Sequence, residues 1–345
     1  MIEKKAPKIA VLGAGAWGLT LANLWAQPGK NQKHVAVYCR DPIKAARLSE
    51  TRVMDKPRGY GLSPDISITD NLGDVLAGAV IIVFACTSQS MRELGQEVGV
   101  QLGVLEQETH QPIPPILVSA VKGLELGSLM RMTEVLQEVL AGHSVAALSG
   151  PNLSEEILKG MPAASVIACA DLEVARALQE RLSVSKFRLY ANDDVVGCEL
   201  GGTFKNIIAI AAGSCDGLGL GVNAKAALLT RGLAEMTRLA VRLGAEADTL
   251  AGLSGMGDLF ATCASPLSRN YRVGFELVRG KSLDQILGEL GAVAEGVTTA
   301  AAVCELSQRL GLELPIAEQV ESTLKGISTP ANVIMALLSR PLASE

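Results

Sequence analysis

A glycine-rich turn between two apolar runs constrains the fold more than any other feature of this sequence. Residues 8–12 (KIAVL) have the composition of a buried strand, and residues 19–25 place apolar side chains at helical spacing. Between them lie Gly13, Gly15 and Gly18, in the spacing GxGxxG. Such glycines let the backbone approach a pyrophosphate, which the free N–H groups of the following helix attract. The GxGxxG spacing alone is weak evidence of a binding site, but its position between a strand and a helix predicts dinucleotide binding.

Strand-like and helical segments alternate through the first half of the chain. After 8–12, the strand-like runs are residues 34–39, 80–85, 116–120, 145–148, 164–168 and 187–190. Helical stretches between them predict a parallel sheet covered on both faces. Beyond residue 192 the apolar positions keep a helical period almost to the end, with helix stops predicted at Gly244, Gly280 and Gly311. We therefore predict two domains, residues 1–191 and 192–345, the second all-helical.

Composition narrows the range of partners. The net charge is −5, aromatic residues make up 3% of the chain, and no basic run occurs, so no nucleic-acid partner is expected. Seven cysteines without a CxxC pair indicate reduced thiols, and no metal site is predicted. The first strand begins too early for a signal peptide, and the apolar run at 79–86 is shorter than the ~20 residues of a membrane span. These features predict a cytoplasmic protein without stable membrane insertion.

The end of the second predicted strand bears on which dinucleotide binds. An acidic residue there favours NAD, because it bonds to the ribose hydroxyls. This chain has Arg40 followed by Asp41 and Pro42. Arg40 could hold a 2′-phosphate or lie solvated in a loop, whereas Asp41 is interpreted as a turn residue. We expect NADPH to be favoured over NADH.

A hydride-transfer enzyme also needs a proton donor and acceptor. The three histidines, His34, His110 and His143, lie at strand starts or in a polar loop and are poor candidates. Lys205 is the single lysine of a helical segment, residues 199–213, that is otherwise mostly apolar and rich in small residues. From the residues alone, it is either a surface lysine with a buried stem or a desolvated lysine with a lowered pKa.

Several motifs in one order resemble the bacterial-type NAD(P)-dependent glycerol-3-phosphate dehydrogenases over nearly the whole chain. They are the GxGxWG loop, SAVKG at 119–123, LSGPN at 148–152, GTFKNIIAIAAGSCDGLGLGVN at 202–223, GMGDL at 255–259, SRN at 268–270 and VAEG at 293–296. The resemblance implies an N-terminal Rossmann-like doubly wound sheet, a C-terminal helical domain and a site in the cleft between them. It also implies hydride transfer between NAD(P)H and dihydroxyacetone phosphate or sn-glycerol 3-phosphate, supplying glycerol 3-phosphate for phospholipid synthesis.

The resemblance also implies roles for individual residues. Lys205 matches the catalytic proton acceptor. The substrate-binding residues would be Lys122, Gly150, Asn152, Lys205, Asp258, Ser268, Arg269 and Asn270. The cofactor-binding residues would be Gly13, Gly15, Ala16, Trp17, Gly18, Arg40, Lys122, Ser154, Arg269, Val293 and Glu295. Asp258 would orient Lys205, and the SRN trio would hold the phosphate.

Structural interpretations of the same residues stay open. Lys122 could be a solvated strand-end lysine, Asp258 and Ser268 could be ordinary helix caps, and Trp17 could anchor the loop to the core. The chain departs from the family at residues 86–89 (CTSQ), where the family often has Pro-Ser, and matches loosely at 51–64.

Two rival functions are a 3-hydroxyacid or related dehydrogenase, which would recognise a carboxylate, and a non-catalytic dinucleotide sensor. Apolar helices in the second half are compatible with a homodimer.

Overall fold

The structure is a computed structural model that describes residues 8–26, 34–109, 114–291 and 293–329. Its strands are β1 (Lys8–Leu12), β2 (His34–Tyr38), β3 (Ile66–Thr69), β4 (Ala79–Phe84), β5 (Ile116–Ser119), β6 (Val145–Ser149), β7 (Ala163–Ala168) and β8 (Phe187–Asn192). The helices of the first half are α1 (Ala16–Trp25), α2 (Pro42–Thr51), α3 (Leu72–Leu76), α4 (Met91–Thr109), α5 (Met132–Val139), α6 (Ser154–Leu158) and α7 (Leu172–Leu182).

Only helices follow β8 in the part of the chain that the structure describes. They are α8 (Val195–Gly217), α9 (Gly221–Arg242), α10 (Ala247–Ala251), α11 (Asp258–Ala264), α12 (Arg269–Leu277), α13 (Leu283–Leu290), α14 (Glu295–Leu310) and α15 (Pro315–Leu324). Gly244, Gly280 and Gly311 follow α9, α12 and α14 with positive φ angles, so the three predicted helix stops are confirmed.

The eight strands form one mostly parallel sheet in the order β3-β2-β1-β4-β5-β6-β7-β8. The chain reverses its direction of travel across the sheet between β1 and β4, which are parallel neighbours. In doubly wound sheets, ligands bind at the carboxyl ends of the strands at such a switch point. The glycine-rich turn after β1 lies there, and the predicted Rossmann-like architecture is confirmed.

The seven predicted strands are present, but the sequence prediction missed β3. This strand has four residues, and only its two isoleucines are buried while Ser67 is exposed. It pairs with β2 alone and forms an edge of the sheet. A short edge strand lacks the continuous apolar run that marks strands buried on both faces. Residues 80–85 therefore correspond to the fourth strand rather than the third.

The chain folds into two compact units. Unit 1 comprises residues 1–121, 132–148 and 154–195, and unit 2 comprises residues 122–131, 149–153 and 196–345. Two short segments of the N-terminal half thus group with the helical part of the chain. Each unit has its own hydrophobic core, built on the sheet in unit 1 and around α8 in unit 2.

Helix α8 forms the centre of the second core. Among the described helices, it is the one long and apolar enough to cross a membrane, but 89% of its apolar window is buried within the protein. Its small residues let neighbouring backbones approach closely, as in the core helix of a globular protein.

Candidate active site

The glycine-rich turn leaves the start of α1 open to a ligand. Gly13 has a φ of +127°, and a Cβ there would lie 2.5 Å from the carbonyl oxygen of Ala85. A Cβ on Gly18 would collide with the carbonyl of Gly13. Gly15 caps α1 without a side-chain hydrogen bond and has no atom within 4 Å of its missing Cβ. The turn therefore fits a pyrophosphate, which the free N–H groups at residues 16–18 would bind.

Arg40 and Asp41 have different tasks at the end of β2. The Asp41 carboxylate accepts hydrogen bonds from the backbone N–H groups of Ile43 and Lys44, so it caps α2, in agreement with its interpretation as a turn residue. The Arg40 guanidinium is half exposed and pairs with Glu93 at 3.2 Å and Glu97 at 3.7 Å. These pairs are exposed and therefore weak, which leaves the guanidinium able to exchange a carboxylate for a phosphate.

Trp17 and Ser154 lie in unit 1 with the glycine turn. The Trp17 ring packs edge-on against Phe187, with ring centroids 6.4 Å apart, and borders the core of the sheet. This supports the interpretation of Trp17 as a core anchor. Ser154 is half-buried at the first residue of α6, and Ala16 is half-buried at the first residue of α1.

Two lysines share one carboxylate at the centre of unit 2. The Lys205 ammonium on α8 pairs with Oδ1 of Asp258, and the Lys122 ammonium lies 2.6 Å from Oδ2 of the same side chain. Asp258 is fully buried, and Lys205 is 7% exposed. Lys122 also donates to the carbonyl oxygen of Gly150 at 2.9 Å. These four predicted site residues, widely separated in sequence, form one cluster.

A turn of π-helix directly precedes Asp258 and positions it in this cluster. It spans Leu253–Gly257 and leads into α11, of which Asp258 is the first residue. Gly201 of α8 packs directly on the turn, because a Cβ there would collide with the carbonyl oxygen of Ser254. This close approach brings the carboxylate against Lys205, one turn further along α8. Single turns of π-helix occur frequently at functional sites.

Burial lowers the pKa of Lys205 to about 8 from the ordinary lysine value of 10.5. The negative charge of Asp258 opposes this shift, and the positive charge of Lys122 adds to it. A lysine with a pKa near neutrality exchanges its proton readily in both directions, as a general acid and base must. The desolvated state of Lys205, which the sequence left open, is the one observed.

Thr262 completes the surroundings of Lys205. The Lys205 ammonium donates to the Thr262 hydroxyl at 2.8 Å, and that hydroxyl lies 3.4 Å from Oδ1 of Asp258. Sequence analysis missed Thr262. The available signal was its spacing, because residues four apart share one face of a helix and Thr262 follows Asp258 by four.

The SRN trio opens helix α12. Ser268 is the N-cap and accepts a hydrogen bond from the N–H of Tyr271. Asn270 is buried, and its side-chain oxygen accepts from the N–H of Gly296 at 3.0 Å. Both side chains therefore have structural roles, the helix-cap interpretation for Ser268 included. The Arg269 side chain is exposed, and a helix N-terminus with an adjacent guanidinium suits a phosphate.

The N-terminus of α14 connects the trio to the lysine cluster. A Cβ on Gly296 would lie 2.7 Å from the carbonyl oxygen of Asn206, the neighbour of Lys205, and 2.8 Å from the Asn270 side chain. Glu295 begins α14, and its charge acts on the Arg269 guanidinium. Val293 lies exposed just before this helix.

The remaining candidates have less specific surroundings. Gly150 has a φ of +140°, and Asn152 is half-buried two residues beyond it in the same segment of unit 2. His34 is exposed at the start of β2, His143 lies 3.0 Å from the carbonyl oxygen of Pro115, and His110 lies outside the described residues. Among the described residues, no group of three or more His, Cys, Asp or Glu side chains could hold a metal ion.

A glycine turn that fits a pyrophosphate in unit 1 and a buried lysine with a lowered pKa in unit 2 are the features expected of a nicotinamide-dependent dehydrogenase. Two family models cover most of the chain: the NAD-dependent glycerol-3-phosphate dehydrogenase N-terminus matches residues 8–175, and the corresponding C-terminus matches residues 194–335. The chain belongs to the NAD-dependent glycerol-3-phosphate dehydrogenase family.

Individual relatives agree with this assignment. A glycerol-3-phosphate dehydrogenase [NAD(P)+] of Sphingopyxis alaskensis is 43% identical over 339 residues, covering 98% of each chain. One from a Synechococcus strain is 44% identical over 337 residues, covering 98% of this chain and 95% of the relative. The crystal structure of the Coxiella burnetii glycerol-3-phosphate dehydrogenase superposes with a TM-score of 0.89 at 34% identity, covering 97% and 99% of the two chains.

Proposed function

We propose that the chain reduces dihydroxyacetone phosphate to sn-glycerol 3-phosphate with NAD(P)H, and catalyses the reverse oxidation. The observation that carries this proposal is the buried Lys205–Asp258–Lys122 cluster in a chain whose family is established. The product supplies the backbone of phospholipids, and the enzyme acts in the cytoplasm on a small-molecule substrate.

Proton transfer is assigned to Lys205. When bound, NAD(P)H supplies the hydride that reaches C2 of the ketone. Lys205 donates its proton to the C2 oxygen during reduction and accepts it during oxidation. Asp258 orients the ammonium, and Lys122 stabilises the negative charge that develops on the oxygen.

The phosphate of the substrate is assigned to the start of α12. Ser268, Arg269 and Asn270 would hold it there, with Gly150 and Asn152 completing the substrate pocket. Arg269 would make the main contact to the phosphate, because it is the charged member of the trio. The side-chain oxygens of Ser268 and Asn270 already accept hydrogen bonds from backbone N–H groups. A guanidinium binds a phosphate dianion through paired hydrogen bonds.

The cofactor is assigned to the glycine turn and its surroundings. Gly13, Gly15, Ala16, Trp17 and Gly18 would surround the pyrophosphate, and Arg40 would hold a 2′-phosphate, which favours NADPH. Ser154, Lys122, Arg269, Val293 and Glu295 would contact the rest of the cofactor. Residues 1–191 would thus form the dinucleotide-binding domain and residues 192–345 the substrate domain. Segments 122–131 and 149–153 would belong to the substrate domain, although they come from the first half of the chain. A homodimer is the assembly that we propose.

A panel of substrates tests the reaction. We expect rapid oxidation of NADPH with dihydroxyacetone phosphate and a slower reaction with NADH. Unphosphorylated dihydroxyacetone and a short keto acid should be turned over at least ~10²-fold less efficiently, because the phosphate contacts are lost. Turnover of the keto acid instead would identify the hydroxyacid dehydrogenase alternative. NADPH binding without turnover of any ketone would identify a dinucleotide sensor.

A further inference from the structure

The segment that carries Lys122 is a closed loop of unit 2. We call residues 122–131 the Lys122 loop. Its ends are joined by an antiparallel bridge between Leu124 and Arg131, and the N–H of Glu125 donates to the carbonyl of Met130 at 3.0 Å. The side chains of Leu124 and Leu129 are buried in the helical core. Arg131 is thus bridged to Leu124, which lies two residues after Lys122.

A buried ion pair joins the end of this loop to α8. The Arg131 guanidinium lies 2.7 Å from Oε2 of Glu199, and the two side chains are only 15% and 5% exposed. A buried charge pair requires one geometry, although replacing both charges with apolar groups often leaves stability unchanged. The pair is therefore better suited to fixing position than to adding stability.

Three residues of α8, spaced three apart, contact the Lys122 loop or share a partner with it. Glu199 holds Arg131, and Gly202, three residues later, lies under the Lys122 stem. A Cβ on Gly202 would be 3.2 Å from Cδ of Lys122 and 2.6 Å from Oγ of Ser149. Lys205, three residues further on, shares Asp258 with the Lys122 ammonium. Residues three apart are neighbours on the surface of a helix, so α8 contacts this segment of the chain from Arg131 to the Lys122 stem within two turns.

We propose that Arg131 and Glu199 are positioning residues, whose buried ion pair holds the Lys122 ammonium on Asp258 beside Lys205. This inference rests on the proposed function, because it concerns the acid–base lysine of that reaction. Neither residue belongs to the cluster itself, and the pair acts through the loop backbone and the Lys122 stem.

The position of Lys122 has an electrostatic consequence. The charged groups that face Lys205 are Asp258 from α11 and Lys122 from the loop, and the Cys263 thiol, whose pKa burial raises to about 12, stays neutral. Lys122 lowers the pKa of Lys205 through its charge and competes for the Asp258 carboxylate. If the loop shifts and Lys122 moves away, Lys205 holds its proton more tightly. The pH dependence of catalysis therefore reports on the position of the loop.

The double variant Arg131→Met/Glu199→Leu tests the proposal, because it removes both charges without leaving one buried and unpaired. We expect a folded protein whose kcat for dihydroxyacetone phosphate reduction is about 10-fold lower. The alkaline limb of its pH profile should move upward by about one unit, as the like-charge effect on Lys205 weakens. The single variant Arg131→Lys keeps the positive charge, so its loss of kcat and its shift of the alkaline limb should both be smaller than those of the double variant.

Glu235→Gln is the matched control, because it removes another buried carboxylate of unit 2, outside the lysine cluster and the Lys122 loop. It should change stability without moving the pH profile. A folded double variant with the wild-type profile and kcat would overturn the proposal. If the double variant does not fold, Glu199→Asp, which shortens the reach to Arg131, should show the same upward shift, and an unchanged profile would then refute the inference. Failure of the wild type to turn over the ketone would refute the proposed function instead.

Discussion

Two side chains of one short helix hold the Lys205 ammonium. Asp258 and Thr262 lie four residues apart on α11, so both point to the same side, one offering a charge and the other a hydroxyl. The carboxylate keeps the ammonium charged although burial favours the neutral amine, and the hydroxyl fixes its direction. Lys205 and Asp258 could be identified from family motifs. Thr262 lies outside those motifs, and its spacing of four residues from Asp258 points to the site only after Asp258 has been assigned to it.

Replacing Thr262 with valine tests this arrangement at constant side-chain shape. Because the hydroxyl accepts a hydrogen bond from the charged lysine, its loss should lower the pKa of Lys205 and move the alkaline limb of the reduction profile to lower pH. We expect kcat to fall about 10-fold, in line with the strength of a hydrogen bond to a charged group. Steady-state kinetics across pH would measure both, with Thr262→Ser, which keeps the hydroxyl, as the control. A limb that stays at the wild-type pH in the valine variant contradicts this role.

Arg40 allows a second test at the residue scale. In Arg40→Gln, kcat/KM with NADPH should fall about 10- to 100-fold, because a charge-assisted contact to the 2′-phosphate is lost. The value with NADH should change little. Arg47→Gln is a matched control, since Arg47 is equally exposed and also pairs with a carboxylate of unit 1. Equal losses with both cofactors would show that Arg40 does not read the 2′-phosphate.

At the scale of elements, close helix crossings determine where the site residues lie. Helices α8 and α12 pack backbone to backbone at Gly213 and Gly274, where a Cβ would collide with a carbonyl of the other helix. This contact places the SRN trio at the start of α12 relative to Lys205 on α8. The sequence showed that α8 is apolar and rich in small residues. It did not show which helix approaches each glycine, because helical periodicity describes one element at a time.

Gly274→Ala should therefore destabilise the protein. The added methyl group meets the carbonyl oxygen of Ile210, so the helices must separate, at a cost of about 1–3 kcal/mol. Denaturant unfolding would measure this loss. Gly288→Ala on α13 is the control, because nothing lies within 4 Å of its missing Cβ and alanine favours helices by about 1 kcal/mol. The crossing is looser than described if Gly274→Ala is as stable as Gly288→Ala.

Glu235 makes the attachment of helix α15 to α9 dependent on pH. Its buried carboxylate on α9 accepts hydrogen bonds from Ile316 and Ala317 at the start of α15, and burial raises its pKa to about 7 from 4.5. The folded state therefore binds more protons than the unfolded state between these values. The stabilisation is complete below about pH 4.5 and is lost as the pH rises through 7.

Glu235→Gln, which cannot ionise, should remove this dependence. The free energy of unfolding of the wild type should fall relative to the variant by on the order of 3 kcal/mol between about pH 4.5 and 7. Urea unfolding of both proteins at several pH values would measure the difference. Parallel curves would show that Glu235 has an ordinary pKa in the folded state.

In the molecule as a whole, the candidate site residues are distributed over the two units. The glycine turn and Arg40 belong to unit 1, and the lysine cluster and the SRN trio belong to unit 2. Alternation of strands and helices predicted the sheet, and the change of period after residue 192 predicted the helical part. The grouping of residues 122–131 and 149–153 with the helices was not predictable. These segments follow strands of the sheet, and only tertiary contacts such as Lys122–Asp258 and Arg131–Glu199 assign them to unit 2.

The pH dependence of kcat for wild type and Lys205→Met, measured in both reaction directions, tests whether Lys205 transfers the proton. In the wild type, reduction should decline and oxidation should rise through the pKa of Lys205, about 8. Lys205→Met should lose at least ~10²-fold in kcat in both directions and lose this titration, while still binding NADPH. A variant that keeps the wild-type rate, or the same titration, would show that another group transfers the proton.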